Sequence, residues 1–297
     1  MSKRVNLLVL SFRDEPQETV WRTIYSQADE NTDLVLLPEL WLGDLYPMDT
    51  EEGPVLQRAS QAARELNTYL VCPVYYKDGE KRLNSAVVFD RRGAVCFRYD
   101  KMYPYWDEFE REPPCSPGNK PGIFQADFGT CGIAICFDVN FPELWEALDR
   151  QGAQLVLWPS DYSAGRALRA HAMTHHYYIL SATRYRDTAV YDITGDELIY
   201  NRSDSITVTK VCLDLDRRLF HENFNLEKRG ILLAENPGVR LEQTYPREQW
   251  FVLSAPAEDV NVGELARAYG MEELRTYLYR SRAVRGSQEE PYENHRI

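Results

Sequence analysis

Two stretches of this chain, residues 6–12 and 33–39, are nearly continuous apolar runs rather than alternating ones. A strand wet on one face alternates apolar and polar side chains, whereas a strand covered on both faces does not. The chain must therefore build a sheet with material packed on both sides. Helical patterns lie between the runs. Pro16 opens a segment with Val20, Trp21, Ile24 and Tyr25 at helical spacing, and residues 54–67 put Leu56, Ala59, Ala63 and Leu66 on one face.

Residues 69–76 read as a third strand. Residues 83–89 and 94–99 flank Asp90-Arg91-Arg92-Gly93, a hairpin signal. After a loop at 102–121 rich in proline and aromatics, 122–128 and 131–136 are strand-like. Asn140 is placed to cap a following helix, with Glu143 at the capping-box position and Gly152 at its end. Residues 153–158 form another buried strand, 168–178 look helical, and strands follow at 178–184, 188–192 and 206–213. Helices alternating with strands, plus hairpins, predict an α/β fold with a mixed sheet and helices outside it. We read 1–297 as a single domain. Residues 216–297 are a less regular C-terminal extension whose Tyr245-Pro246 and Trp250-Phe251-Val252-Leu253 suit subunit packing, and 286–297 is polar enough to fray.

Charge and cysteine usage narrow the function. The 34 basic and 46 acidic residues give a net charge of −12. Such a surface repels phosphate backbones and anionic lipid, so neither nucleic acid nor a membrane is an expected partner. The apolar stretch 7–10 is too short for a secretion signal, no stretch is long enough to span a membrane, and the expected location is cytoplasmic. The six cysteines form no CxxC pair and no disulfide-like framework. His171 and His175 are four apart, but without an HExxH pattern they read as packing or surface residues rather than metal ligands.

Three residues at strand ends could carry chemistry. Cys136 closes Gly132-Ile133-Ala134-Ile135 directly before a helix, where the helix dipole and free backbone N–H groups favour a thiolate and a developing oxyanion. A buried core cysteine fits the same position. Glu39 ends an apolar strand after Pro38, a partly desolvated place for a general base, although strand-end glutamates are commonly just solvated. Lys101 ends a third strand, where a lysine ordinarily guards an edge. Together they put a nucleophile, a carboxylate and a cation at strand ends, where ligands of α/β sheets gather. A cysteine without a placed histidine needs another base, and a carboxylate can serve.

Leu36-Leu37-Pro38-Glu39, Tyr99-Asp100-Lys101 and Gly132-Ile133-Ala134-Ile135-Cys136-Phe137-Asp138, running on to Phe141-Pro142-Glu143, resemble the nitrilase superfamily of carbon–nitrogen hydrolases. Gly152-Ala153 and Trp158-Pro159-Ser160 extend the likeness over about residues 5–215. The resemblance implies a four-layer α-β-β-α sandwich with two mixed sheets, pairing through helical faces into homodimers or larger homo-oligomers. It implies a Glu39-Lys101-Cys136 triad and no metal or organic cofactor. A second active-site glutamate is expected after Lys101-Met102-Tyr103-Pro104: Glu108 first, then Glu110, then Glu112. Phe137-Asp138, where nitrile-cleaving members often carry tryptophan and glutamate, looks more like the amide- and carbamoyl-cleaving branches. The implied substrate is a small amide or N-carbamoyl compound. The rival readings are a nitrilase on the same residues and a catalytically silent scaffold of this fold. The Phe137 N–H is expected to help bind the oxyanion. Trp106 and Trp158, with Tyr103, Tyr105 and Tyr162 nearby, are expected around the pocket, where subunit packing is the other use for such aromatics. Glu143 is expected to be a helix cap and buried polar anchor.

Overall fold

The apolar runs become central strands of two six-stranded mixed sheets. The computed structural model describes residues 4–257 and 259–287, so the tail from 288, within the stretch expected to fray, lies outside the described residues. In the first sheet β1 (Arg4–Ser11), β2 (Leu34–Leu36) and β3 (Tyr69–Asp78) run parallel. β4 (Lys81–Phe89) and β5 (Val95–Asp100) follow antiparallel through the hairpin at 90–94. In the second, β6 (Gly122–Ala126) pairs antiparallel with β7 (Gly129–Ile133). β8 (Leu155–Ser160) and β9 (Tyr178–Thr183) continue parallel from β7. β10 (Asp187–Tyr191) and β11 (Glu197–Arg202) complete it antiparallel. The chain then returns to the first sheet as β12 (Thr207–Asp214), paired antiparallel with β1.

The sheets pack face to face, β1 against β9 and β10. Helices cover both outer faces. α1 (Gln17–Gln27) buries Val20, Trp21 and Ile24, and α2 (Pro54–Glu65) buries Leu56, Ala59 and Ala63, in one core with Leu8, Leu10 and Val35. On the second sheet α3 (Pro142–Arg150) buries Leu144, Trp145 and Leu148, and α4 (Gly165–His175) buries Leu168 and Ala172. This is the four-layer sandwich that the resemblance implies.

Residues 1–215 form one compact unit and 216–297 a second. The second unit is more regular than its sequence suggests. β13 (Arg218–His221), β14 (Arg240–Tyr245) and β15 (Trp250–Ser254) make an antiparallel sheet in the order β13-β15-β14. With α5 (Leu226–Glu235), α6 (Val262–Ala268) and α7 (Leu274–Gly286) it encloses its own core, including Phe220, Leu232, Phe251 and Val262. β14 is exposed along nearly its whole length, so it carries no alternation to read.

Two local expectations are corrected. Asn140 does not cap α3: it sits in the 3-10 turn Cys136–Asn140, and its side chain donates to the Phe137 carbonyl at 3.0 Å. Glu143 is exposed and not buried, and accepts from the Tyr103 hydroxyl at 2.8 Å. Pro142 explains both shifts. Its fixed φ starts α3 at that residue, one residue later than a cap at Asn140 requires.

Candidate active site

Glu39, Lys101 and Cys136 arrive by separate routes at one cavity of about 560 Å³. β2 ends at Leu36, Pro38 stops the ladder, and Leu40 turns the chain with φ +42° immediately after Glu39. Lys101 follows β5 directly. Its amide donates to the Asn84 carbonyl at 2.9 Å, and its carbonyl accepts from the Gly118 amide at 2.8 Å. The loop passes so close here that a Cβ on Gly118 would lie 2.0 Å from the Asp100 carbonyl oxygen. Cys136 comes three residues after the end of β7 and adopts φ +47°. That left-handed conformation costs a cysteine on the order of 1–3 kcal/mol and breaks the strand sharply at the thiol.

Lys101 is only 2% exposed, and its ammonium is shared by two carboxylates. Nζ lies 2.9 Å from Glu39 Oε1 and 2.6 Å from Glu108 Oε2. Of the three glutamates after Lys101, the structure brings Glu108 inside and leaves Glu110 and Glu112 exposed. A 3-10 turn over Trp106–Phe109 makes the choice, fastened by the Tyr105 amide donating to Glu108 Oε2 at 2.8 Å. Burial by itself would lower the Lys101 pKa. The charges of Glu39, of a Cys136 thiolate and of Glu108 overcome this and hold it well above the ordinary lysine value.

Two contributors escape the sequence reading. Asn84, in the middle of β4, donates from Nδ2 to Glu39 Oε1 and to Glu108 Oε1, each at 2.8 Å, and so aligns both carboxylates. Its one signal is a polar amide that is buried within β4, next to Ser85 and ahead of the apolar run 86–89. The Asp161 amide, just past β8, donates to Glu39 Oε2 at 3.0 Å. Backbone donors of this kind leave no trace in residue type.

The surroundings of the thiol do not favour a thiolate, contrary to what its place before a helix predicts. Burial pushes the Cys136 pKa up and the Glu39 charge adds to the rise; Lys101, the Asp161 amide and the Ser160 hydroxyl oppose it without prevailing. The helix that was to lower it begins only at Pro142, beyond a 3-10 turn. Cys136, Glu39 and Lys101 thus share one cavity, and burial opposes ionisation of the thiol there.

Phe137 lines the cavity beside Cys136, edge-on to Tyr105 with centroids 5.4 Å apart. Tyr105, Tyr162 and Tyr75 supply the other aromatic walls. Trp158 and Trp106 do not line it. Trp158 is fully buried behind the nucleophile, its indole N–H donating to the Cys136 carbonyl at 3.2 Å. Trp106 is 58% exposed and packs on Tyr105 from outside. The cavity rim is charged. Arg184 pairs with Asp44 at 2.6 Å, and Arg111 pairs with Asp107 at 3.0 Å. His171 stacks on Trp145 with centroids 4.2 Å apart and bonds the Val139 carbonyl at 2.9 Å. Burial lowers its pKa to about 4. No group of three potential metal ligands occurs among the described residues.

A double-sheet sandwich with a cysteine, a lysine and two glutamates on one cavity defines a class before any comparison: an α-β-β-α protein with the furniture of acyl transfer. Comparison with known proteins then gives the family. The carbon-nitrogen hydrolase family model matches residues 12–218, and the chain belongs to that family. It is similar to omega-amidase NIT2 of Xenopus tropicalis, 27% identical over 203 residues, covering 62% of this chain and 74% of that protein. It is also similar to a nitrilase of Pyrococcus abyssi, 28% identical over 192 residues, covering 60% and 72%. Among solved structures, an amidase from Nesterenkonia superposes with a TM-score of 0.61 at 21% identity, over 71% of this chain and 90% of that one. A carbon-nitrogen hydrolase from Helicobacter pylori gives 0.60 at 18% identity, over 79% and 95%.

Proposed function

We propose that this protein hydrolyses the carbon–nitrogen bond of small amides or N-carbamoyl compounds through a thioester on Cys136. The observation that carries the reading is the buried Lys101 ammonium, bound to both Glu39 and Glu108, on the cavity that the Cys136 thiol lines. Relatives named as omega-amidases support an amide substrate. So does the Nesterenkonia amidase, one structure of which carries an acetamide moiety covalently on its active-site cysteine.

Glu39 takes the thiol proton as Sγ attacks the carbonyl carbon. The oxyanion is met by Lys101 and the Phe137 N–H, each donor worth roughly 3 kcal/mol in the transition state. Glu39 returns its proton to the nitrogen as the C–N bond breaks, releasing ammonia or amine. Water then gives a proton to Glu39 and attacks the thioester carbonyl. The C–S bond breaks, the acid leaves and the thiol recovers the proton. Glu108 and Asn84 keep the ammonium and the base in line. A part in subunit packing is the role we propose for 216–297.

Ammonia release from a panel of small amides, N-carbamoyl amines and matched nitriles tests the reading. Turnover of amides, with an acyl adduct on the Cys136 peptide when a poor substrate is used, is the expected result. Turnover of nitriles alone would move the assignment to a nitrilase, and no Cys136-dependent turnover would remove it. Asn84→Ala strips a donor from both carboxylates at once. Hydrogen bonds to charged groups contribute roughly 1.5–3 kcal/mol, so kcat is expected to fall roughly tenfold to a hundredfold, read in the same assay.

A further inference from the structure

Lys101 and Cys136 belong to different sheets, and something must hold the two tips at a fixed reach. Glu39 is tied across the gap by the Asp161 amide. The backbone carrying Lys101 is tied elsewhere. Asp138, two residues after Cys136, is fully buried. Its Oδ2 accepts from the Tyr99 hydroxyl at 2.7 Å and from the Ile135 amide at 2.8 Å, and its Oδ1 accepts from the Tyr103 amide at 2.9 Å. Ile135 directly precedes the nucleophile, while Tyr99 and Tyr103 bracket Lys101 by two residues on each side. One carboxylate thus holds both segments. The Tyr99 hydroxyl also accepts from the Met102 amide at 3.2 Å, fastening a third point of the lysine loop. The Tyr99 ring cannot swing away: a Cβ on Gly122 would lie 2.7 Å from it, so only glycine lets β6 pass there.

We infer that Asp138 is a positioning residue that sets the reach from Lys101 to Cys136 by tying the tip of β5 to the tip of β7. It touches neither the ammonium nor the substrate cavity, so it acts through the two backbones. Burial pushes its carboxyl up to about 7, against the Ile135 amide, the Tyr99 hydroxyl, Lys101 and the Tyr103 amide. Tyr99 is itself held well above the ordinary tyrosine value by burial and by Asp138, which keeps it a donor. A buried carboxylate at such cost, with both oxygens engaged, suits alignment better than a packed apolar side chain, which would serve the core alone.

The inference rests on the proposed function for its consequence, not for its geometry, and the test separates the two. Asp138→Asn keeps the volume but offers one acceptor oxygen where two are used, so an N–H of one segment must face the new amide. Thermal melting and circular dichroism establish the folded state. kcat, KM and the alkylation rate of Cys136 by iodoacetamide are then measured against wild type. A displacement of about 1 Å at a reacting pair costs on the order of 100-fold. kcat is expected to fall by that order with KM changed less than about threefold, and alkylation is expected to slow in parallel. A folded Asp138→Asn protein with kcat and alkylation within about twofold of wild type overturns the inference. If Asp138→Asn does not fold, Tyr99→Phe decides. It deletes one hydroxyl and is expected to slow both readouts about tenfold; unchanged rates in it also overturn the inference. Should wild type release no ammonia from any panel member while either variant still slows Cys136 alkylation, the proposed function fails and the positioning role stands.

Discussion

Cys136→Ala is expected to lose on the order of 10⁵ in kcat while keeping its fold, because the proposed mechanism runs through a covalent bond to its sulfur. Knocking out a nucleophile leaves only what binding and oxyanion donors provide. Stability should barely move. Alanine inherits the φ of +47° that cysteine already tolerates, so no new backbone strain arises. The lost sulfur lies at a cavity wall that is already open, so little packing goes with it, and the melting free energy should stay within about 1 kcal/mol.

Cys131 is the control. It lies five residues earlier, in β7, is also fully buried, and does not line the cavity. Cys131→Ala should cost about 1–2 kcal/mol of stability and leave kcat near wild type. The two variants therefore move opposite quantities. If both lose stability and neither loses turnover, Cys136 is a packing cysteine and the scaffold reading gains.

Much of this contrast could be read from residue order, for a physical reason. A strand covered on both faces has no polar position until it ends, so the first charged residue after Leu34–Leu36 marks a tip, and Glu39 stands there. Lys101 and Cys136 also stand past strand ends, but with weaker signals, because β5 already carries Arg98 and Asp100 and β7 already carries Cys131. The choice among Glu108, Glu110 and Glu112 depends on one 3-10 turn, whose bond from the Tyr105 amide to Glu108 has no composition signal. Trp106 and Trp158 stand near the site residues in sequence, yet one indole turns outward and the other lies beneath Cys136. Hydrophobicity cannot tell a cavity wall from the layer behind it. β11 and β14 left no pattern because almost every residue in them is exposed. Asp138 stands in the motif around Cys136, but its reach to Tyr99 and Tyr103 exists only once the two sheets face each other.

Lys101→Met should strike stability and rate together. The ammonium is the partner of two buried carboxylates, Glu39 at 2.9 Å and Glu108 at 2.6 Å. Removing one member of a buried ionic group leaves the others uncompensated, a loss of about 3–5 kcal/mol. The same change deletes a proposed oxyanion donor, worth on the order of 10²–10³ in kcat. Because folding raises the Lys101 pKa, its stabilisation is fully present below about pH 10.4, the ordinary lysine value, and fades only as pH climbs through the higher folded value. The gap between wild type and Lys101→Met should thus be flat across neutral pH and narrow only in strong alkali. Adding Glu108→Gln to Lys101→Met removes one stranded charge and leaves Glu39, the proposed base, in place, so the double variant should melt above the single one yet stay inactive. That divergence between melting temperature and ammonia release assigns the lysine both duties. A double variant that recovers turnover along with stability would leave Lys101 as a counter-ion alone.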